Sequence, residues 1–236
     1  MVAEAFIDFD GDNLGLFFVE PFKSRKDEFN LWYIKEVLAK GECTGDCLPQ
    51  QIMSLAENCP YRNKYVVNLN TDGVSTKVGE RIMLFVAPIS PIGLENLAPP
   101  FVHESGHLFG NGKVADEYIL FPDKRYEEET STSIFGGHKN CYAGPAHTSQ
   151  ECLDKAPWKD FIGNGCGQEG VIDCSPSDQS YPLEVACFEG CSKDGLGIFR
   201  PTLNSIMNSA GIEIYSYGPW NQKLIEDELK KYNRYR

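Results

Sequence analysis

Up to about residue 110, apolar positions gather in short runs rich in β-branched and aromatic residues. Phe29-Asn30-Leu31-Trp32-Tyr33-Ile34, Tyr65-Val66-Val67-Asn68-Leu69 and Ile82-Met83-Leu84-Phe85-Val86 read as strands, the last closed by Pro88. A helix is expected around Gln50 to Glu57. Residues 4–18 place Phe6, Leu14, Phe17 and Phe18 among acids, the pattern of an amphipathic helix weakened by Gly11. Leu97-Ala98-Pro99-Pro100 then stops the preceding segment, and proline suits the first turn of a new helix. Phe101, Val102, Gly106 and Phe109 give that helix a packing face, and Gly110 offers a left-handed exit. From Asn111 onward Gly, Pro and Cys become dense and periodic runs are few. Periodicity returns at Gln222 to Tyr232, where Leu224, Ile225 and Leu229 predict a closing amphipathic helix. The pattern predicts an α+β fold in one domain spanning 1–236. A sheet-bearing upper lobe (about 1–110) faces an irregular lower lobe (about 111–236) across a cleft.

A chain of 236 residues suffices for one such core. It has no run of about 18 apolar residues, so no membrane span is expected. The net charge of −12 argues against nucleic acid or an anionic membrane surface as partner. Nine cysteines, none in paired C-x-x-C knuckles, lie among Gly, Pro, Asn and Ser. They read as disulfides formed in an oxidising compartment, with one thiol left over, and predict a secreted or cell-surface protein. Proximity proposes Cys43–Cys47 or Cys47–Cys59, Cys141–Cys152, Cys166–Cys174 and Cys187–Cys191. Acids near Met1 take the place of an export signal, so upstream sequence is expected to be missing.

The chemistry concentrates in His103-Glu104-Ser105-Gly106-His107, which holds two of the chain's four histidines. Histidines four apart on a helix share one face and can offer two nitrogens to a single Zn²⁺. A glutamate after the first histidine is placed to take the proton of an activated water. A carboxylate follows, in Asp116-Glu117-Tyr118, where a chain turned back on itself reaches the metal. Glu117, His138 and His147 are the rival third ligands. Asp8-Phe9-Asp10-Gly11-Asp12 looks superficially like a calcium loop, but its glycine is misplaced and Val19 stands where the closing Glu belongs.

Beyond this motif, Ala115-Asp116-Glu117-Tyr118 and Arg200-Pro201-Thr202-Leu203-Asn204-Ser205-Ile206-Met207 complete a wider pattern. The chain resembles the metzincin-like metallopeptidase family named after bacterial immunoglobulin A peptidase. Members show H-E-F-G-H, then L-x-D-E-Y, then R-P-x-x-x-S-x-M. Pro21-Phe22-Lys23, Phe29-Asn30, Asn140-Cys141 and Trp158-Lys159 also look family-like, so the likeness runs through most of the chain.

The resemblance implies a metzincin-like fold. A twisted mixed β-sheet and the active-site helix form the upper lobe; a disulfide-braced lower lobe carries a Met-turn at Met207 and the final helix. It implies Zn²⁺ on His103, His107 and Asp116, with Glu104 as general base, and hydrolysis of peptide bonds in extracellular proteins. Tyr118, Tyr215 and Tyr217 are candidates for oxyanion stabilisation, because the metzincin tyrosine two residues past the Met falls on Ser209. Two departures stand out. The spacer before Asp116 is longer than the family's, and the usual metzincin third-ligand position falls on Lys113. The family also begins with a strand that this chain lacks. Alternative readings are an inactive secreted binding domain on the same fold, a zinc amidase acting on cell-wall peptides, and a protease whose third ligand is a Glu on a later helix.

Overall fold

A computed structural model describes residues 15–29, 65–69, 76–78, 82–86, 98–126, 138–162, 185–208 and 216–232. The architecture is mixed α+β. Strands β1 (Tyr65–Leu69), β2 (Thr76–Val78) and β3 (Ile82–Val86) form a mixed sheet in the order β1-β3-β2. In it β1 runs parallel to β3 and β2 antiparallel. Helix α1 (Ala98–Phe109) lies against β3 and β2. Both strands predicted from apolar runs at 65–69 and 82–86 are therefore present. The predicted strand at 29–34 is described only at Phe29, which closes a 3-10 turn at Lys26–Glu28. Of the expected helix over 4–18 only the turn Leu16–Phe18 is described. The 50–57 helix, the Asp8–Asp12 segment, Cys43, Cys47, Cys59, Cys166 and Cys174 fall outside the described residues.

The second half is more regular than its composition predicts. Strands β4 (Ile119–Arg125), β5 (Phe188–Cys191) and β6 (Lys193–Arg200) form a second sheet in the order β4-β6-β5. Antiparallel β5 and β6 make a hairpin that turns through Ser192 and Lys193, both at positive φ (50° and 79°). Parallel β4 joins β6 with shifts in register. Its Pro122 cannot donate to a ladder, and an edge position tolerates that loss. Gly195 makes the approach possible, since a Cβ there would stand 2.0 Å from the Pro122 carbonyl oxygen. Glycines, a proline and charges hide these strands from a propensity reading, and non-local pairing forms them nonetheless.

Two disulfides brace this half, and they correct the pairing by proximity. Cys141 bonds Cys191 and Cys152 bonds Cys187, at sequence separations of 50 and 35. Nearest neighbours fail for a physical reason. Cys152 rides on helix α2 (Ser149–Lys155), capped by the Thr148 hydroxyl, while Cys141 lies beside Asp116 and Asn140. The hairpin carries Cys187 to the first and Cys191 to the second. Loops of such length are worth about 4 kcal/mol each in the chain-entropy account, and nesting makes the two less than additive.

Helix α3 (Pro219–Tyr232) ends the described chain. It buries Leu224, Ile225 and Leu229, the stripe that the spacing predicted. These residues join Phe22, Val102, Leu108, Trp158, Phe199, Ile206, Met207 and Tyr217 in one hydrophobic core. Phe22 meets Phe109 edge to face at 5.1 Å between ring centroids and also contacts Tyr217, so aromatic rings pack against α1. Among the described residues no helix is long and apolar enough to cross a membrane.

Candidate metal centre

Helix α1 begins with Pro99 and Pro100 in its first turn and ends where the Gly110 amide donates to the Gly106 carbonyl at 2.9 Å. The left-handed exit lies one step later than expected, at Asn111 (φ 52°) and Gly112 (φ 79°). Gly110 instead makes room, because a Cβ there would stand 2.7 Å from a Val114 methyl. The turn sends the chain back along α1 towards its two histidines.

The return brings Asp116 to both. Its Oδ1 lies 3.0 Å from His103 Nε2 and 3.0 Å from His107 Nε2. These three residues form the one group among the described residues whose donor atoms lie within 4.8 Å of one another. On the far side of each ring, Nδ1 meets a backbone carbonyl, Ile206 at 2.7 Å and Val114 at 2.9 Å. A carbonyl only accepts, so both Nδ1 atoms carry protons, and a cation that displaces the protons shared with Asp116 meets both Nε2 lone pairs.

Two imidazoles and a carboxylate are the three-ligand set of catalytic zinc sites, where a fourth position is kept for water. Donors about 2.0–2.1 Å from a tetrahedral zinc stand about 3.3 Å from each other. The 3.0 Å separations are within a few tenths of that, so the residues present fit the ion.

Electrostatics agree. Against burial, which raises it, the two histidines hold the Asp116 carboxyl well below the usual carboxylate range. Against burial, which lowers it, Asp116 and the Ile206 carbonyl hold His103 above its ordinary value. Without metal, then, the cluster retains protons. A cation entering it displaces them, so affinity weakens as pH falls. Glu104, nearly buried at 9 % exposure, is pushed up by burial, with the histidine charges opposing.

The rival ligands lie elsewhere. Glu117 points to the opposite side of the extended 115–118 segment and is fully buried. Its Oε1 accepts from Asn221 Nδ2 (2.7 Å) and Asn140 Nδ2 (3.0 Å), and its Oε2 from the Ser205 hydroxyl (2.5 Å). His147 has its Nδ1 2.9 Å from the Gly197 carbonyl, in the second sheet, and neither it nor His138 belongs to the cluster. Among the described residues the third member of the cluster is thus an aspartate on an extended segment. Lys113 pairs with Glu228 of α3.

No protein-family model matches this chain, and no curated protein matches it significantly. The site stands on its own geometry.

Residues without a sequence-level role complete the support. Asn140 brackets Ala115, its Oδ1 accepting from the Ala115 amide at 2.7 Å and its Nδ2 donating to the Ala115 carbonyl at 3.0 Å. The Glu117 amide donates to the Met207 carbonyl at 2.8 Å, and the Met207 amide donates to Ser205 Oγ at 3.1 Å. Ser205 and Asn140 belong to the family-like segments, which was the one signal available for them. Arg200 donates to the carbonyls of Glu189, Gly190 and Leu203, so this arginine holds the strand end and the turn together.

Met207 is fully buried against Gly106, which shares the helical face of His103 and His107. A Cβ on Gly106 would stand 2.8 Å from Met207 Sδ and 2.6 Å from a Tyr217 ring carbon. Gly106→Ala gains about 1 kcal/mol of helix propensity but forces buried rings and sulfur apart, at about 1–3 kcal/mol. A lower melting temperature is the expected result in thermal unfolding, where propensity alone predicts a rise.

The tyrosines separate. The Tyr217 hydroxyl is donated to the Val102 carbonyl and wholly buried, so it is a structural group. Tyr215 lies outside the described residues. Tyr118 remains at the site, with its phenol pushed up to about 12 by burial, by the charge of Asp116, by a hydrogen bond to that carboxylate and by Glu104.

Proposed function

We propose that this chain is a zinc-dependent peptidase that cleaves peptide bonds in extracellular proteins, with His103, His107 and Asp116 as ligands and Glu104 as general base. The observation that carries the reading is the convergence of two Nε2 lone pairs and one carboxylate oxygen, with both rings locked from behind by carbonyls. The same donor set also serves Fe(II) oxygenases. A buried glutamate beside the cluster is what hydrolysis needs and favours the peptidase. The resemblance to the immunoglobulin A peptidase family and the place of Met207 under the helix support the same class. Two disulfides fit an extracytoplasmic setting.

Zinc, when bound, supplies Lewis acidity and lowers the pKa of water to about 7. Glu104 supplies the proton transfers. Burial strengthens it as a base relative to an exposed glutamate, so its carboxylate takes the proton of the attacking water and then delivers it to the leaving nitrogen. Backbone carbonyls keep His103 and His107 in one tautomer throughout. Tyr118 places a phenol O–H beside Asp116, where a scissile carbonyl gains negative charge. Tyr118→Phe, assayed at saturating zinc because the phenol also hydrogen-bonds Asp116, is expected to lower kcat about 10²-fold; a normal kcat would remove this residue from the mechanism.

The function is tested with a degenerate peptide library and mass-spectrometric mapping. Cleavage that is lost with a zinc chelator and regained with zinc is expected. A zinc-loaded protein that cuts no peptide would overturn the proposal in favour of a binding domain. Cleavage confined to cell-wall peptides would redirect it to an amidase.

A further inference from the structure

The segment that turns back from α1 to Asp116 is braced in the middle by Asn140 and tied at both ends to the closing helix. At its start, Lys113 Nζ pairs with Glu228, whose side chain is only 3 % exposed. The Lys113 carbonyl accepts from the Lys139 amide at 2.7 Å, and the Lys139 carbonyl accepts from Trp220 Nε1 at 2.8 Å. At its end, Asn221 Nδ2 donates to Glu117 at 2.7 Å. Asn221 and Glu228 stand two helical turns apart, hence on one face, with Leu224 and Ile225 buried between them. One face of α3 therefore grips both ends of residues 113–117. The segment between these grips supplies the Val114 carbonyl that orients His107 and the Asp116 oxygen that meets both rings.

Resting on the metal-site reading above, we infer that α3 is a positioning element of the metal centre and that the Lys113–Glu228 pair sets its zinc affinity. Lys113 and Glu228 are positioning residues; neither touches the metal cluster. The lysine at the position where a metzincin ligand usually stands has a different task, fastening a longer spacer to the C-terminal helix.

The pair can be opened without stranding a buried charge, because Lys231 Nζ also donates to Glu228 Oε1, at 2.6 Å. Lys113→Met thus frees the spacer while Glu228 keeps a cationic partner. The zinc dissociation constant, measured by competition with a chromophoric chelator, is expected to rise several-fold, short of the about 10–100-fold that losing a direct outer partner of a metal ligand costs. Lys113→Arg is expected to restore it. Lys155→Met, which removes an ion pair with Glu151 on α2, is expected to leave it unchanged. A purely structural role for Lys113 would lower the melting temperature and leave the affinity of the folded protein intact. If Lys113→Met does not fold, Lys113→Gln carries the same test. Wild-type affinity in a folded Lys113 variant overturns this inference alone. A wild-type protein that takes up no zinc overturns the metal-site reading itself.

Discussion

Glu104→Gln is expected to lower kcat at least about 10³-fold and to leave bound zinc at the wild-type level. The amide has the size of the carboxylate and makes hydrogen bonds, but it cannot accept the water's proton or return it to the leaving amine. Glu104 is nearly buried and pushed up by that burial, within electrostatic reach of His103, His107 and Asp116. No carboxylate among the described residues duplicates this placement, since Asp116 is committed to the two imidazoles and Glu117 to three amide and hydroxyl donors. Retained zinc separates loss of the base from loss of the site. Metal content and turnover measured on one preparation decide it, and full turnover in the variant removes Glu104 from the chemistry.

The adjacent acids Asp116 and Glu117 should fail in opposite ways. Asp116→Ala removes one of three ligands, so zinc affinity should fall by more than the roughly 100-fold that losing an outer partner costs. Its side chain is a quarter exposed, so the fold should survive. Glu117→Ala leaves Ser205, Asn140 and Asn221 facing a cavity in the core. Each buried donor left without its acceptor costs about 1–3 kcal/mol. The Glu117 variant is therefore expected to melt far lower, whereas the Asp116 variant keeps its fold and loses its metal. Unfolding curves with and without zinc distinguish them, and the reverse pattern would mean that Glu117 is the ligand.

The local part of the site was legible in the sequence. Spacing on a single helix puts His103 and His107 on one face, and no tertiary information is needed for that. Apolar runs at 65–69 and 82–86 and the stripe on α3 were legible for the same reason. A third carboxylate in Asp116-Glu117 was legible from its distance after the histidines, but the choice of Asp116 came only from the family resemblance, because it depends on a turn at Asn111 and Gly112 that reverses the chain. The second sheet was not legible, since Pro122, Gly195 and Gly197 break every local strand pattern and long-range pairing overrides them. Disulfide partners were set by where a hairpin carries Cys187 and Cys191, not by distance along the chain. The partner of Lys113 was not legible, because Glu228 is remote in sequence and only the packing of α3 brings it opposite the lysine.

The central claim is that His103, His107 and Asp116 hold one zinc ion. X-ray absorption at the zinc edge, on protein loaded with one equivalent, tests it most directly. The structure predicts nitrogen and oxygen scatterers at about 2.0–2.1 Å, the multiple-scattering signature of two imidazoles, and no sulfur. Sulfur at about 2.3 Å would place the ion on cysteines instead. That result, or a chain that binds no zinc, would contradict the account.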